Sequence, residues 1–211
     1  MSQFTCFQEI AFDVPRIPGW CTVRKAQHLA SLVIASNSMV TVEIGVYAGR
    51  SAIPMAMAHR EIETGKVIAI DPWDPAPSII GQADADVKFW SNPTTHANAL
   101  KDFRKRIESL RLEDWIVIER GTSDIVPIRS NIGVLHIDGN HSEQASADVR
   151  RWAPHVVGAG YVVMDDLDWS NGCPLAACTV LESIGFRKLM HRNVEDGLGK
   201  DNYAVFVRSQ A

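Results

Sequence analysis

Along the chain, short apolar runs rich in β-branched residues alternate with turns of Gly, Asp or Asn and then with amphipathic stretches of helical length. Strands covered on both faces read as continuous apolar runs, and the helices that cross between them carry a 3.6-residue pattern, so the alternation predicts an α/β fold. The first strand is expected over Met39 to Gly45, with a helix from Ser51 to Arg60 behind it, and the second over Lys66 to Asp71 after a Thr64-Gly65 turn. A helix from Asn98 to Leu110 leads to a strand at Trp115 to Glu119, a helical turn at Ser123 to Ile128 and a strand at Ile132 to Asp138. A helix from Ser142 to Trp152, a strand at Tyr161 to Asp165 and a helix from Pro174 to Ile184 follow. Phe186 to His191 and Tyr203 to Val207 flank a polar turn, Asn193 to Asp201, and read as an antiparallel pair. The whole predicts one doubly wound sheet, mostly parallel, with an antiparallel C-terminal pair and helices on both faces.

Two segments depart from the alternation. Residues 72–95 carry four prolines and two tryptophans, Trp73 and Trp90, and a connection of that length is usually a functional lid. Residues 1–38 hold one expected helix, Val23 to Ser36, behind the Pro15-Pro18-Gly19 turn and form a cap on the same face. No repeat or linker divides the chain, so its 211 residues, 46% hydrophobic and 22% charged, form a single domain. A net charge of −4 lacks the basic surface that nucleic-acid binding requires. No apolar stretch is long enough for a bilayer, and no secretory leader is evident, so a cytoplasmic protein with neither nucleic-acid nor membrane partner is expected. Four cysteines without a CxxC pair argue against a disulfide scaffold or zinc ribbon; Cys173 and Cys178 are expected as buried thiols.

Open α/β sheets bind ligands beyond the carboxyl ends of their strands. There the first strand runs into Glu43-Ile44-Gly45-Val46-Tyr47-Ala48-Gly49-Arg50-Ser51, where glycines allow a sharp turn and close ligand approach. This is not the GxGxxG spacing of pyrophosphate binding, and the Glu43 carboxylate favours a cationic ligand, met directly or through water. Asp71 ends the second strand 22 positions after Gly49, with two acceptor oxygens for ribose hydroxyls. The pattern of Glu43, Gly45, Gly49 and Asp71 resembles class I S-adenosylmethionine-dependent methyltransferases, which are Rossmann-like. That resemblance implies S-adenosyl-L-methionine at the glycine turn through Ser51, its ribose at Asp71, and its adenine near Gly121-Thr122-Ser123.

Asp138 ends the fourth strand with His141 three residues on, and Asp165-Asp166 end the fifth, so neighbouring strand tips gather three carboxylates. Without a basic partner such a group calls for a raised pKa or a bound hard cation, Mg²⁺ or Ca²⁺. His141 beside Asp138 is a candidate general base, whereas His136 lies mid-strand and reads as a supporting residue. This second group resembles the metal-dependent small-molecule O-methyltransferases similar to macrocin O-methyltransferase. The resemblance implies Mg²⁺ on Asp138, Asp165 and Asp166, His141 as the base, Asp138 also near the cofactor, and a sugar or natural-product hydroxyl as acceptor. Trp73, Phe89 and Trp90 of the lid are expected to exclude water or stack on acceptor or adenine. An NAD(P) oxidoreductase and a non-catalytic S-adenosylmethionine-binding protein stand as alternatives, and a homodimer is the default assembly.

Overall fold

Seven strands, β1 (Val40–Ile44), β2 (Lys66–Asp71), β3 (Ile116–Arg120), β4 (Ile132–Ile137), β5 (Val156–Met164), β6 (Phe186–Asp196) and β7 (Gly199–Arg208), form one sheet in the computed structural model, which describes residues 5–197 and 199–209. Their order is β3-β2-β1-β4-β5-β7-β6; the first five are parallel, and β7 runs antiparallel between β5 and β6. The chain starts in the middle, winds outward to β3, then returns to β4 beside β1. That reversal opens a crevice above the tips of β1 and β4, the place where this architecture binds ligands.

The apolar residues alternate between two cores, as the pleat of each strand demands. Val67, Ala69, Val134, Val163 and Val205 face one core with α1 (Cys6–Asp13), α2 (Val23–Ser36), α3 (Ala52–Glu61) and, beyond two lid helices, α6 (Pro93–Ser109). Ile68, Ile70, Leu135, Val162 and Phe206 face the other, with α7 (Gln144–Trp152) and α8 (Cys173–Ser183). Helix α2, which matters for the site, is capped by Thr22, whose hydroxyl accepts from the Lys25 amide at 3.1 Å, and ends at Asn37 in the left-handed conformation.

The structure departs from the sequence pattern at several boundaries. Residues 72–95 are folded as α4 (Pro75–Ser78), α5 (Asp84–Trp90) and the start of α6. Helix α6 begins five residues before the expected Asn98, because Asn92 caps the Thr94 amide and Pro93 fits the first helical position. Helix α1 adds an element that the apolar pattern does not predict, with Cys6 and Ile10 on one buried face at helical spacing. Ser123 to Ile128 makes hydrogen-bonded turns rather than a helix, and β6 and β7 pair into the segment expected as a turn, out to Asp196 and Gly199. The cysteines are free; Cys178 is buried and Cys173 half-buried. No helix among the described residues is long and apolar enough to cross a membrane.

Trp152 closes the α7 core, fully buried, with its indole N–H donating to the Ser123 carbonyl at 3.1 Å. Trp152→Ala removes the ring and that hydrogen bond, and is expected to cost about 3–5 kcal/mol in urea unfolding.

Candidate active site

The glycine turn and the β4 tip are pressed together. Gly45, at φ +86°, has no room for a side chain: a Cβ there would lie 2.1 Å from the Asp138 carbonyl oxygen. Gly49, at φ +83°, serves packing instead, since its Cβ would meet the Phe103 ring at 2.2 Å, and it does not line the cavity. Between them the turn is tied down by Asp71. Its Oδ2 accepts the amides of Val46 and Tyr47, each at 2.9 Å, and its Oδ1 accepts the Trp73 amide at 2.7 Å. These three bonds fill most of the carboxylate's acceptor capacity and leave room for one ribose hydroxyl rather than two. Burial raises the Asp71 pKa, opposed by the same three amides. Tyr47 and Trp73 both sit at positive φ, backbone strain of the kind that collects at ligand sites.

Above this turn is a cavity of about 580 Å³, lined by Gly45, Ser51, Asp71, Thr122, Ser123, Asp138, His141, Asp165 and Asp166 among the expected residues. Glu43 does not line it. The parallel register places Glu43 beside His136, both fully buried on the α2 side of the sheet, with Glu43 Oε1 at 2.8 Å from His136 Nδ1. Burial pushes the Glu43 carboxyl up to about 8 against the Ser51 hydroxyl and the Lys25 ammonium. Burial, helped by Lys25, pushes His136 down to about 3. The pair is therefore close to neutral and supports the site from beneath. Arg50, absent from the expected set, lines the cavity with its Nη1 on the Gly19 carbonyl and its buried Nε unpaired.

The strand-tip carboxylates have a basic partner that sequence reasoning missed. Lys25 reaches in from α2, buried to 2% exposure, and its ammonium touches Asp165 Oδ2 and lies 3.4 Å from Asp138 Oδ2 and 3.8 Å from Asp201 Oδ1. Burial disfavours the ammonium, but Asp138 and its neighbours outweigh that and raise the Lys25 pKa. Among the described residues, donor atoms of His136, Asp138 and Asp165 gather within 4.8 Å, and the buried His136 Nε2, 3.5 Å from Asp165 Oδ2, makes no hydrogen bond. Asp166 does not join this group. It sits at φ +53° and turns its Oδ2 to His141 Nε2 at 2.6 Å. Mg²⁺ favours a nearly octahedral shell of oxygens. Here an ammonium stands between two of the three expected ligands, the third carboxylate is engaged elsewhere, and the nearest further donor is a nitrogen. The expected trio of Asp138, Asp165 and Asp166 does not fit Mg²⁺ in this arrangement.

His141 is held on two sides. Trp169 stacks on its ring at 3.9 Å between centroids, and Asp166 takes Nε2, which leaves the buried Nδ1 without a partner. Burial works to raise the Asp166 pKa, but the bond and charge of His141, with Lys25 behind them, bring it below the usual carboxylate range.

The lid covers this end of the cavity with Pro77, Ser78, Ile80, Gln82, Asp86 and Trp90. It is docked on the His141 loop: Asn140 Nδ2 donates to the Pro77 carbonyl, Trp169 Nε1 to the Gly81 carbonyl, and a Cβ at Gly81 would come within 2.8 Å of the His141 backbone. Trp73, expected to face the ligand, is buried instead against Phe103, with its indole N–H on the Tyr47 carbonyl. Its place is taken by Trp20, which the sequence pattern did not single out and which packs with Tyr47, Phe89 and Trp90. At the far end, Ser123 and Gln144 donate to Asp148 Oδ1 at 2.5 and 2.8 Å.

A family model described as a methyltransferase domain matches residues 42–167, from the core of β1 through the Asp165-Asp166 pair. The chain belongs to this methyltransferase family. Solved structures resemble the whole domain at low identity. NovP, an O-methyltransferase, is 19% identical over 89% of this chain and 81% of its own, with a TM-score of 0.64. An O-methyltransferase from Bacillus cereus, solved with SAH, is 14% identical over 99% and 93%, also at 0.64. The O-methyltransferase TomG from Streptomyces achromogenes, solved with SAM, is 13% identical over 98% and 87%, at 0.63. No curated protein matches significantly. At these identities the likeness is one of fold: the Rossmann-like sheet expected from the sequence is that of the class I S-adenosylmethionine-dependent methyltransferases. The oxidoreductase alternative finds no support among these neighbours.

Two substitutions test the methyltransferase site as described. Gly45→Ala forces β1 and β4 apart and should lower stability by about 1–3 kcal/mol in urea unfolding, with loss of ligand binding at the turn. Burial pushes the Asp148 carboxyl up to about 6 from 3.8, against the bonds from Ser123 and Gln144. The native state therefore holds a proton that the unfolded chain has lost, so this residue's contribution to stability falls as pH rises from about 4 through 6. Asp148→Asn removes that penalty, and its stability relative to the parent protein should improve by about 2–3 kcal/mol between pH 4 and pH 7.

Proposed function

We propose that this methyltransferase domain transfers a methyl group from S-adenosyl-L-methionine to a hydroxyl of a small molecule, a sugar or natural product, with His141 as general base. The observation that carries the reading is the His141–Asp166 pair, which turns one imidazole nitrogen to a carboxylate and leaves the other unpaired beside the cavity. A base must lie within hydrogen-bond reach of the proton it removes, and a second group must fix its tautomer. Asp166 fixes it here, and Trp169 holds the ring plane.

The cavity residues fit the cofactor. The Gly45 turn admits a close backbone approach, Asp71 retains one acceptor for a ribose hydroxyl, and the unpaired Arg50 Nε is a donor for the methionine carboxylate. Thr122 and Ser123 border the end assigned to adenine. When bound, S-adenosyl-L-methionine supplies an electrophilic methyl whose transfer neutralises a positive sulfonium, so alignment matters more than new charge stabilisation. Asp138 orients the acceptor hydroxyl, His141 Nδ1 receives its proton, and Asp166 stabilises the resulting imidazolium. The lid, with Trp20 and Trp90 at the rim, excludes water. The net acidic charge and the covered cavity favour a small acceptor over a nucleic acid. Neighbours solved with SAH or SAM support the cofactor assignment, and the synthesis of tomaymycin in which TomG is involved supports a natural-product acceptor.

Calorimetric titration with S-adenosylhomocysteine tests the cofactor site. Binding in the micromolar range is expected, weakened about tenfold or more by Asp71→Asn. Once an acceptor is found in a hydroxyl-compound screen, His141→Asn should lower turnover by about 10²–10⁴-fold while S-adenosylhomocysteine affinity stays nearly intact. Binding without turnover on any hydroxyl would instead favour the non-catalytic cofactor-binding protein.

A further inference from the structure

Lys25 is the buried cation that meets the strand-tip carboxylates, and it lies on the cavity wall beside Asp138 and Asp165. Its Nζ touches Asp165 and is 3.4 Å from Asp138, while Asp201, third in the ring, holds the start of α2 by accepting the Thr22 amide at 3.0 Å. The approach is built by the fold. Thr22 caps the helix through the Lys25 amide, Asp201 fixes the cap, and the side chain then runs inward past buried Cys21 and the ring of Tyr203. We propose that the Lys25 ammonium stands in the place of the divalent cation, so that this enzyme positions Asp138 and its acceptor hydroxyl with a lysine and works without Mg²⁺.

This inference rests on the methyltransferase reading and deepens it. A divalent ion and an ammonium cannot share a space bounded by the same two carboxylate oxygens, because their charges repel and their ligands coincide. Lys25 brings one positive charge with no exchange with solvent, and it fixes Asp165, which is 3% exposed, while Asp138 keeps 24% exposure toward the cavity. Asp138 is thus the group left to meet the acceptor, and Lys25 is a positioning residue acting through it. A metal ion chelates, and favours acceptors with two adjacent oxygens; an ammonium locked onto carboxylates makes no such demand. The acceptor then needs no second ligating oxygen beside the hydroxyl that is methylated.

The test uses the whole protein, with Mn²⁺ followed by electron paramagnetic resonance and S-adenosylhomocysteine by calorimetry. For the parent protein, no Mn²⁺ or Mg²⁺ binding tighter than about millimolar is expected, and S-adenosylhomocysteine affinity with EDTA should match that with Mg²⁺ within about twofold. Lys25→Ala empties the position, and should gain Mn²⁺ affinity by about tenfold or more together with a metal-dependent rise in Tm; Lys25→Arg, which keeps the charge, should gain neither. A merely structural lysine would not create a metal site on removal. Micromolar Mn²⁺ binding by the parent protein, or a folded Lys25→Ala with no gain, overturns the proposal, and the parent measurement decides even if Lys25→Ala fails to fold. Absence of S-adenosylhomocysteine binding in every buffer overturns the methyltransferase reading instead.

Discussion

Everything at the site depends on how closely the tips of β1 and β4 approach. The Gly45 Cα lies against the Asp138 backbone with no space for even a methyl group. That contact sets the floor of the cavity, turns the chain after Gly45 toward Asp71, and sends the chain after Asp138 outward to His141. Glycine is needed there twice over, for the positive φ and for the missing Cβ. Asp71 then does from β2 what the glycines cannot, fixing the turn by accepting hydrogen bonds from the Val46 and Tyr47 amides. The carboxylate at the tip of β2 thus maintains the shape of the cavity floor.

Charge is distributed around this floor in layers. Beneath it, Glu43 and His136 are both driven toward neutrality by burial, which removes a carboxylate from a region already rich in them. At the level of the strand tips, Lys25 compensates Asp138, Asp165 and Asp201. Nearest the lid, His141 and Asp166 form a separate pair under Trp169. Burying this many ionisable groups is costly unless each has a partner, and the layering gives each one. It also sets the His141 Nδ1, which has no hydrogen-bond partner, apart from the Lys25 cluster.

The lid lies over the last of these layers. Its hydrogen bonds fall on the loop that carries His141 and on Trp169 beside it, so the lid and the His141 loop are held in one network. The aromatic rim of Trp20, Tyr47, Phe89 and Trp90 draws on the N-terminal cap, the glycine turn and the lid together.

Local pattern along the chain is enough to specify the architecture and the tips of the strands. Apolar runs, turn residues and helical periods are local signals, and they placed all seven strands, the glycine turn, and the carboxylates at the ends of β2, β4 and β5. Helix starts and the short α1 were less legible, because a cap such as Asn92 and the two buried residues of α1, Cys6 and Ile10, are weak signals against a background of polar chain. Which of these residues share a space is set by long-range packing. Lys25 is more than a hundred residues from Asp138 in sequence, on an otherwise ordinary amphipathic helix, and no spacing rule connects a helix lysine to strand-tip acids. The same holds for the turning of Asp166 to His141, of Trp73 into the core and of Glu43 toward His136. Each depends on side-chain direction and on what fills the neighbouring volume, which a one-dimensional pattern does not carry.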